Sequence, residues 1–464
     1  MFESCWWLET LDLSSFNTEN VESMKFMFDS CKQLTSLKLD NFSTSRVVDM
    51  QNMFSGCSQL KTLSLSNFDV SQVELMDGMF SSCESLISLD LSSFSTGLVE
   101  NMANMFSNCV SLTSVNIKNF DFSRVTNMAY MFRDCSSLLT LDTSNFITSK
   151  VNRMDGLFEK CAKLSSINLS KFKTNEVTTM SSMFNGCSSL RSLDCTSFDT
   201  SQVTTMSEMF KDCSSLVYLD ITSFNANRVR VTESMFQNCI SLTSINLNYF
   251  SSQEIDNMES MFNNCSKLVS LDLSGINSNP REMKSLFQDC HSLQTLNVKN
   301  LHTDNALYSG HIFENCHSLK SLDLSSFTFL HSKNLDATFK NCYSLTSIKL
   351  DNFDTAELLT MSGMFENCYQ LTSLNLSHIT TEYVSDMSYA FHNCSSLESL
   401  TVWFYTVNVL YFQNMFSNCT SLTSLSIGTC FTANALNLTE MFENDTKLVL
   451  TIDTKTCANV YYSL

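Results

Sequence analysis

The stretch Val21-Glu22-Ser23-Met24-Lys25-Phe26-Met27-Phe28-Asp29-Ser30-Cys31-Lys32-Gln33-Leu34-Thr35-Ser36-Leu37-Lys38-Leu39-Asp40-Asn41-Phe42-Ser43-Thr44 decides how the chain is read, because it recurs. Cys5, Cys31, Cys57, Cys83, Cys109, Cys135, Cys161, Cys187, Cys213, Cys239 and Cys265 follow one another at steps of 26 residues (31 − 5 = 26, and so on). The column continues through Cys290, Cys316, Cys342, Cys368, Cys394 and Cys419, with two steps shortened by one, and Asp445 takes the next place. A phenylalanine stands three residues before each of these positions, from Phe2 to Phe442, and a leucine three after, from Leu8 to Leu448. A fixed period of this length marks a stacked repeat architecture.

Within the unit, Val21, Met24, Met27, Phe28, Cys31 and Leu34 recur every three or four residues, and this spacing predicts one stripe of a short α-helix. Leu37-Lys38-Leu39 and Leu89-Asp90-Leu91 alternate as a short strand does. One helix and one strand cannot bury enough surface to offset the entropy of ordering about 26 residues, so the units must stack around a shared core. The expected fold is an α/β solenoid: a right-handed coil of about 18 units, each with one short helix and one short parallel strand, the strands about 4.8 Å apart. A helix side with about 10 Å per step would bend the coil with its sheet on the concave face. One repeat domain is expected over residues 1–444, irregular around 275–340 and 400–412, with 445–464 as a degenerate last unit and rudimentary cap.

The unit Met-Phe-x-x-Cys-x-x-Leu-x-x-Leu-x-Leu-x-x-Phe-x-Thr resembles the BspA-like leucine-rich repeat of bacterial and mycoplasma-type surface proteins. The resemblance covers nearly the whole chain. It implies a surface-exposed or secreted protein that adheres to host proteins or other cells. Two departures stand beside it: neither a signal peptide nor a lipoprotein cysteine or wall-anchor motif is visible. Met1 and Phe2 already belong to the motif, so the coil is expected to start in mid-unit, uncapped, with a capacity for end-to-end self-association.

Composition narrows the function. With 47 acidic against 28 basic residues and a formal net charge of −19, a general nucleic-acid surface is disfavoured because phosphates are repelled. No stretch of about 18 uncharged apolar residues predicts a membrane span. The twenty cysteines contain no Cys-x-x-Cys pair, which leaves zinc ribbons and redox motifs without support. The column thiols read as small core hydrophobes, held apart by a helix diameter and so beyond disulfide reach. A bridge between Cys430 and Cys457 is left open. Histidine is absent from the first 290 residues and no Gly-x-Ser-x-Gly elbow occurs, so the chain is read as a non-enzyme. No cofactor and no metal are assigned.

Candidate partner-binding residues lie where packing does not dictate identity. The outward strand face carries an acidic and amide column that includes Asp90, Asp142, Asp194, Asp220, Asp272 and Asp323. Asp and Asn are poor strand formers, and two readings stand: a solvated face, or a repetitive surface for an extended partner or a cation, although isolated aspartates lack the six to eight oxygens of a calcium cage. His291 and His317 follow column cysteines on neighbouring units, and Tyr343 and Tyr369 continue the line; sequence drift and a patch of stacked rings are the alternatives. In the stretch Thr401-Val402-Trp403-Phe404-Tyr405, the register points Val402 and Tyr405 inward and Trp403 outward, as a recognition anchor or a cover for the fading core, with Tyr411 nearby. The leading expectation is an extracellular or cell-surface module that binds a protein or glycan through the polar sheet face. The alternative is a structural spacer or self-associating scaffold that presents other domains.

Overall fold

The computed structural model describes residues 1–402, 404–428 and 434–453. They fall into two compact units, Met1–Arg228 and Val229–Leu464, and each is a parallel β-solenoid whose turns follow the sequence repeat. In the first unit, β1 (Thr10–Asp12) pairs with β2 (Ser36–Lys38), β3 (Ser88–Asp90) with β4 (Ser114–Asn116), and β5 (Ser192–Asp194) with β6 (Tyr218–Asp220). In the second, β7 (Ser270–Asp272) pairs with β8 (Thr295–Asn297) and β9 (Ser321–Asp323) with β10 (Ser347–Lys349). There too β11 (Ser373–Leu376) pairs with β12 (Ser399–Val402) and β13 (Ser424–Gly428) with β14 (Val449–Asp453). Every pair is parallel and in register, so leucine lies on leucine, as in Leu11 on Leu37 and Leu271 on Leu296.

The expected helix is not there. No helix occurs among the described residues, and the Met-x-x-Met-Phe-x-x-Cys segment is a run of tight turns. Met24, Phe26, Phe28 and Ser30 donate their N–H groups to Asp49, Gln51, Met53 and Ser55 of the next turn at 2.9, 3.0, 2.9 and 2.7 Å. The intervening N–H groups of Met27, Asp29 and Cys31 close back on Met24, Phe26 and Phe28 at 3.1, 3.2 and 3.2 Å. Half of the donors therefore serve the neighbouring turn and half close local turns of three-residue span. Residues three apart face the same way in such a run, which is why the spacing imitated a helix.

The left-handed residues fix this outcome. Phe26 (φ 55°) and Ser30 (φ 60°) occupy the third place of alternate turns, 24–27 and 28–31, which a type II turn requires to be at positive φ. The residue before every column position is Ser, Gly, Asn or Asp, apart from Lys160. Asn, Asp and Gly are the residues that accept this conformation most readily, and a helix interior excludes it. At Gly156 (φ 59°) the missing side chain also admits the Tyr130 ring, since a Cβ there would lie 2.3 Å from the ring.

Without helices, the turn wall and the strand wall advance at the same pace. Column phenylalanine rings stack at 5.2–5.9 Å from Phe28 to Phe210 and at 5.0–5.8 Å from Phe236 to Phe442. The 10 Å helix spacing, and the bending inferred from it, lose their basis. So does the expectation that a helix diameter separates the thiols.

The core is one file per sequence column. Phe54, Met53, Cys57 and Leu60 are fully buried, as are their counterparts in the inner turns of both units, while Phe2, Cys5, Leu8 and Met27 at one end and Phe442 and Leu448 at the other are half-buried. The column thiols from Cys31 to Cys419 are buried and free, and they donate to the main-chain oxygen of the preceding turn's phenylalanine, as three of them show. Cys57 reaches Phe28 at 3.3 Å, Cys135 reaches Phe106 at 3.1 Å and Cys342 reaches Phe313 at 3.2 Å. The threonine of Phe-x-Thr closes the third side: buried Thr44 donates to the Asp69 oxygen at 2.8 Å and accepts from the Asp69 N–H at 2.8 Å. Column thiols and threonines such as Cys57 and Thr44 are thus paired across turns.

The irregular stretch around 275–340 keeps the stack. The shortened step between Cys265 and Cys290 leaves Phe262 and Phe287 at 5.8 Å, and an extra bridge joins Ser252 to Ile276. The break at 400–412 corrects the expected register. Val402 is buried, but Phe404 is buried too and Tyr405 is 51% exposed. Phe404 and Thr406 are the Phe-x-Thr pair, drawn in by one missing residue, so Tyr405 takes the outward place between them. Trp403, Cys430, Cys457 and the expected cap beyond residue 453 lie outside the described residues.

Candidate functional site

The strand face is where side chains escape packing. In β3 and β5 the middle leucine is buried while Ser88, Asp90, Ser192 and Asp194 are exposed. The Asp and Asn column has a local structural reason. Asp90 accepts the Ser92 N–H at 3.0 Å, Asp142 the Ser144 N–H at 3.0 Å and Asp194 the Thr196 N–H at 2.9 Å. Asp220, Asp272 and Asp323 make the same bond to Thr222, Ser274 and Ser325 at 3.0, 2.8 and 3.0 Å. These are Asx turns, in which a side-chain oxygen replaces the main chain as it leaves the strand. Asn168 and Asn375 do the same toward Ser170 and Ser377, both at 3.0 Å. The turn is served equally by Asp and Asn, so charge is not what it selects.

The bonds hold the carboxylates ionised. The Ser14 hydroxyl and N–H, joined by Lys38 at 3.3 Å, lower Asp12 to about 2. Asp90, Asp220, Asp272 and Asp323 are lowered by side-chain and then backbone bonds from the residue two places on, and Asp142 by the backbone and then the hydroxyl of Ser144. Lys349 lies 3.7 Å from Asp323 and Tyr218 donates to Asp220 at 3.2 Å.

The predicted ring file forms. His291 stacks on His317 at 4.5 Å and 7°, His317 on Tyr343 at 4.5 Å and 11°, and Tyr343 on Tyr369 at 5.4 Å and 21°. The His291 Nδ1 lies 3.0 Å from the Asn315 main-chain oxygen, so that nitrogen donates. Burial, then the neighbouring His291, holds the His317 imidazole below its usual range, opposed by Asp289. Beside the rings runs an amide ladder that the sequence reading missed. Asn315 donates to Asp289, Asn341 to Asn315, Asn367 to Asn341 and Asn393 to Asn367 at 2.6–2.7 Å.

The candidates do not converge on one site. The aspartates lie on the strand face, the ring file lies just after the cysteines, and Tyr411 belongs to a third column, the bridge that links Asp386, Tyr411 and Asn437. Of the other histidines, His311 sits in a left-handed position (φ 63°) beside Glu314 at 2.8 Å, and His331 faces Glu357 at 3.0 Å. A depression on the second unit's strand face, lined by Ser244, Asn246, Ser270, Asp272, Thr295 and Asn297, brings hydroxyls, amides and one carboxylate together. Among the described residues, no group of three or more His, Cys, Asp and Glu is placed to hold a metal ion, and no helix is long and apolar enough to cross a membrane. Burial raises the column thiols, to about 11 in Cys31 and about 12 in Cys109, Cys187, Cys265, Cys342 and Cys394, which leaves them unreactive as nucleophiles.

Exposed apolar side chains at the entry to the strand had escaped the sequence reading. Ile87, Leu139, Val217 and Val269 stand one residue before the strand position and are exposed, as is Tyr218. Their signal was available, since each replaces the usual Thr or Ser.

A family described as "Mycoplasma protein of unknown function, DUF285" matches residues 1–113, 85–187, 154–276, 243–348 and 333–455. The chain belongs to this family. Overlapping matches run along both units of the DUF285 chain, in keeping with a repeat whose copies blend into one another. No curated protein sequence matches it. Among solved structures it is similar to a leucine-rich repeat protein from Bacteroides ovatus, with 16% identity over 97% of this chain and 85% of that one and a TM-score of 0.35. A leucine-rich cell surface protein from Faecalibacterium prausnitzii shows 17% identity over 85% and 79%, with a TM-score of 0.29. An internalin from Listeria monocytogenes shows 15% over 81% and 82%, with a TM-score of 0.24.

Proposed function

We propose that this DUF285 chain is a non-catalytic scaffold at the cell surface or outside the cell, which binds another protein along the strand face of its solenoid. One observation supports the reading above all. The turn wall spends its side chains on the core and on turn-to-turn bonds, whereas the strand face presents serine, threonine and ionised aspartate with exposed Ile87, Leu139, Val217 and Tyr218 among them. Mixed apolar and polar contacts of this kind suit protein recognition. The ring file from His291 to Tyr369 and Tyr411 offer secondary contacts.

Photo-crosslinking from the intact chain tests the reading. A benzophenone side chain at Ser114, on the strand face, should capture a partner protein from the surface of cells that bind the chain. The same group at Thr126, beside the bridge column, should not. Equal capture from both positions, or capture from Thr126 alone, would contradict it, and insensitivity of cell binding to every strand-face change would favour a spacer.

A further inference from the structure

The turn geometry leaves the choice between Asp and Asn free, yet the choice is not random. From the turn of Cys83 to that of Cys316, the third strand position reads Asp90, Asn116, Asp142, Asn168, Asp194, Asp220, Asn246, Asp272, Asn297 and Asp323. The residue three places earlier reads Ile87, Thr113, Leu139, Ser165, Arg191, Val217, Thr243, Val269, Gln294 and Lys320. Aspartate always accompanies an aliphatic or basic residue, and asparagine always accompanies Thr, Ser or Gln. Both members of each pair point to solvent in the first unit's Ile87/Asp90 and Leu139/Asp142, with Ile87 49% and Leu139 50% exposed. The alternation lets Asn116 donate to Asp90 across turns at 2.9 Å, but neither that bond nor the Asx turn asks for the aliphatic or basic residue three places earlier.

The coupling has a period of two turns where it is cleanest, at Ile87/Asp90 and Leu139/Asp142, with Asp194 continuing the acidic member (142 − 90 = 52 and 194 − 142 = 52). Parallel strands advance about 4.8 Å per turn, so these carboxylates recur every ~9.6 Å. A polyproline II segment repeats its side-chain direction every three residues, about 9.3 Å along its axis. An ordinary β-strand repeats at two residues, about 6.7 Å, and falls out of step.

We propose that the first unit's strand face binds an extended basic peptide in polyproline II form, running along the stacking direction, with Lys or Arg at every third residue over Asp90, Asp142 and Asp194 and its apolar flank against Ile87 and Leu139. The inference rests on the strand-face reading above and names the partner it takes. Charge complementarity supports it, in a chain of net charge −19 whose Asp90 and Asp142 carboxyls are kept ionised. One oxygen of each carboxylate serves the Asx turn and the second is left for the partner. Two cations of the chain itself stand along the track: Lys118, on the turn between Asp90 and Asp142, acts on Asp90, and Arg191 lies on the turn of Asp194.

The test uses the full chain and two fluorescent peptides of equal composition: five repeats of Lys-Pro-Pro, and a version with all five lysines adjacent. Anisotropy at low salt should show the phased peptide binding about tenfold more tightly than the clustered one. The triple variant Asp90→Asn, Asp142→Asn, Asp194→Asn should abolish that preference with unchanged circular dichroism, because Asn already serves the same turn at positions 116 and 168. Equal binding of both peptides overturns the inference, as does an undiminished preference in the triple variant or tighter binding of neutral maltoheptaose than of the phased peptide. Crosslinking from Ser114 separates the two levels: if it captures a partner while the peptides bind alike, the strand-face scaffold stands and the basic track falls.

Discussion

The turn wall and the strand wall of the same solenoid obey different rules. Along the turn wall, from Met24 to Cys31 in the first full unit, each main-chain donor has an assigned acceptor and the buried Met24, Phe28 and Cys31 each have an identical neighbour one turn away. Identity there is dictated by burial, by φ and by the next turn. Along the strand wall, burial dictates the leucines and the Asx turn asks for Asp or Asn without choosing between them; Ser88 faces solvent in a column that is nearly all Ser or Thr, and the position of Ile87 varies from turn to turn. The difference teaches where to look for function in such a chain. A feature that repeats on the turn wall is architecture, whereas a pattern on the strand face that the fold does not require is available to a partner.

Substitutions sharpen this contrast in order of size. Phe132 is fully buried between Phe106 at 5.2 Å and Phe158 at 5.8 Å, so Phe132→Ala should destabilise the fold by about 3–5 kcal/mol, read as a fall in the denaturant midpoint. A loss below that of a surface change would place the ring outside a shared core. Asn341 combines φ 62° with two ladder bonds to Asn315 and Asn367, each 2.7 Å. Asn341→Ala should cost about 1–3 kcal/mol from strain and lost bonding, and Asn341→Gly less, because glycine keeps the conformation. The reverse ranking would remove the left-handed turn from the account.

Smaller effects belong to the strand face. Ser114→Ala should change stability by no more than about 0.5 kcal/mol. Asp12 is lowered from 3.8 to about 2 in the folded chain, so its contribution is complete above about pH 4 and is lost as pH falls through about 2. Asp12→Asn should flatten that part of the acid dependence of the denaturation midpoint, while leaving the midpoint near neutral pH almost unchanged. An identical acid slope in wild type and variant would deny the Asx-turn stabilisation of the anion.

Much of this was legible from sequence. The period of Cys31, Cys57 and Cys83 revealed the stacking, the alternation in Leu37-Lys38-Leu39 revealed the strands, and the positions of His291, His317, Tyr343 and Tyr369 revealed the ring file. The helix was misread because apolar spacing of three and four serves a run of tight turns as well as a helical stripe. Ser30, Gly56, Asn108 and Asp134 carried the discriminating signal, as residues at home in left-handed turns placed just before each cysteine. The Asp and Asn column looked like an anomaly in a strand, and only coordinates show that it ends the strand through an Asx turn. Tyr405 was placed inward because the count from Val402 ignored one missing residue, which Phe404 absorbs.

The pace of the turn wall tests the account most directly. Spin labels attached through ketone-bearing residues at Glu84 and Ser188, each directly after a column cysteine and four turns apart in the first unit, can be measured by pulsed electron resonance without touching the buried thiols. Four steps of about 5 Å predict a separation near 20 Å. A separation near 32–40 Å, the pace of packed helices at about 8–10 Å per step, would contradict the stacked-turn wall and restore the helix.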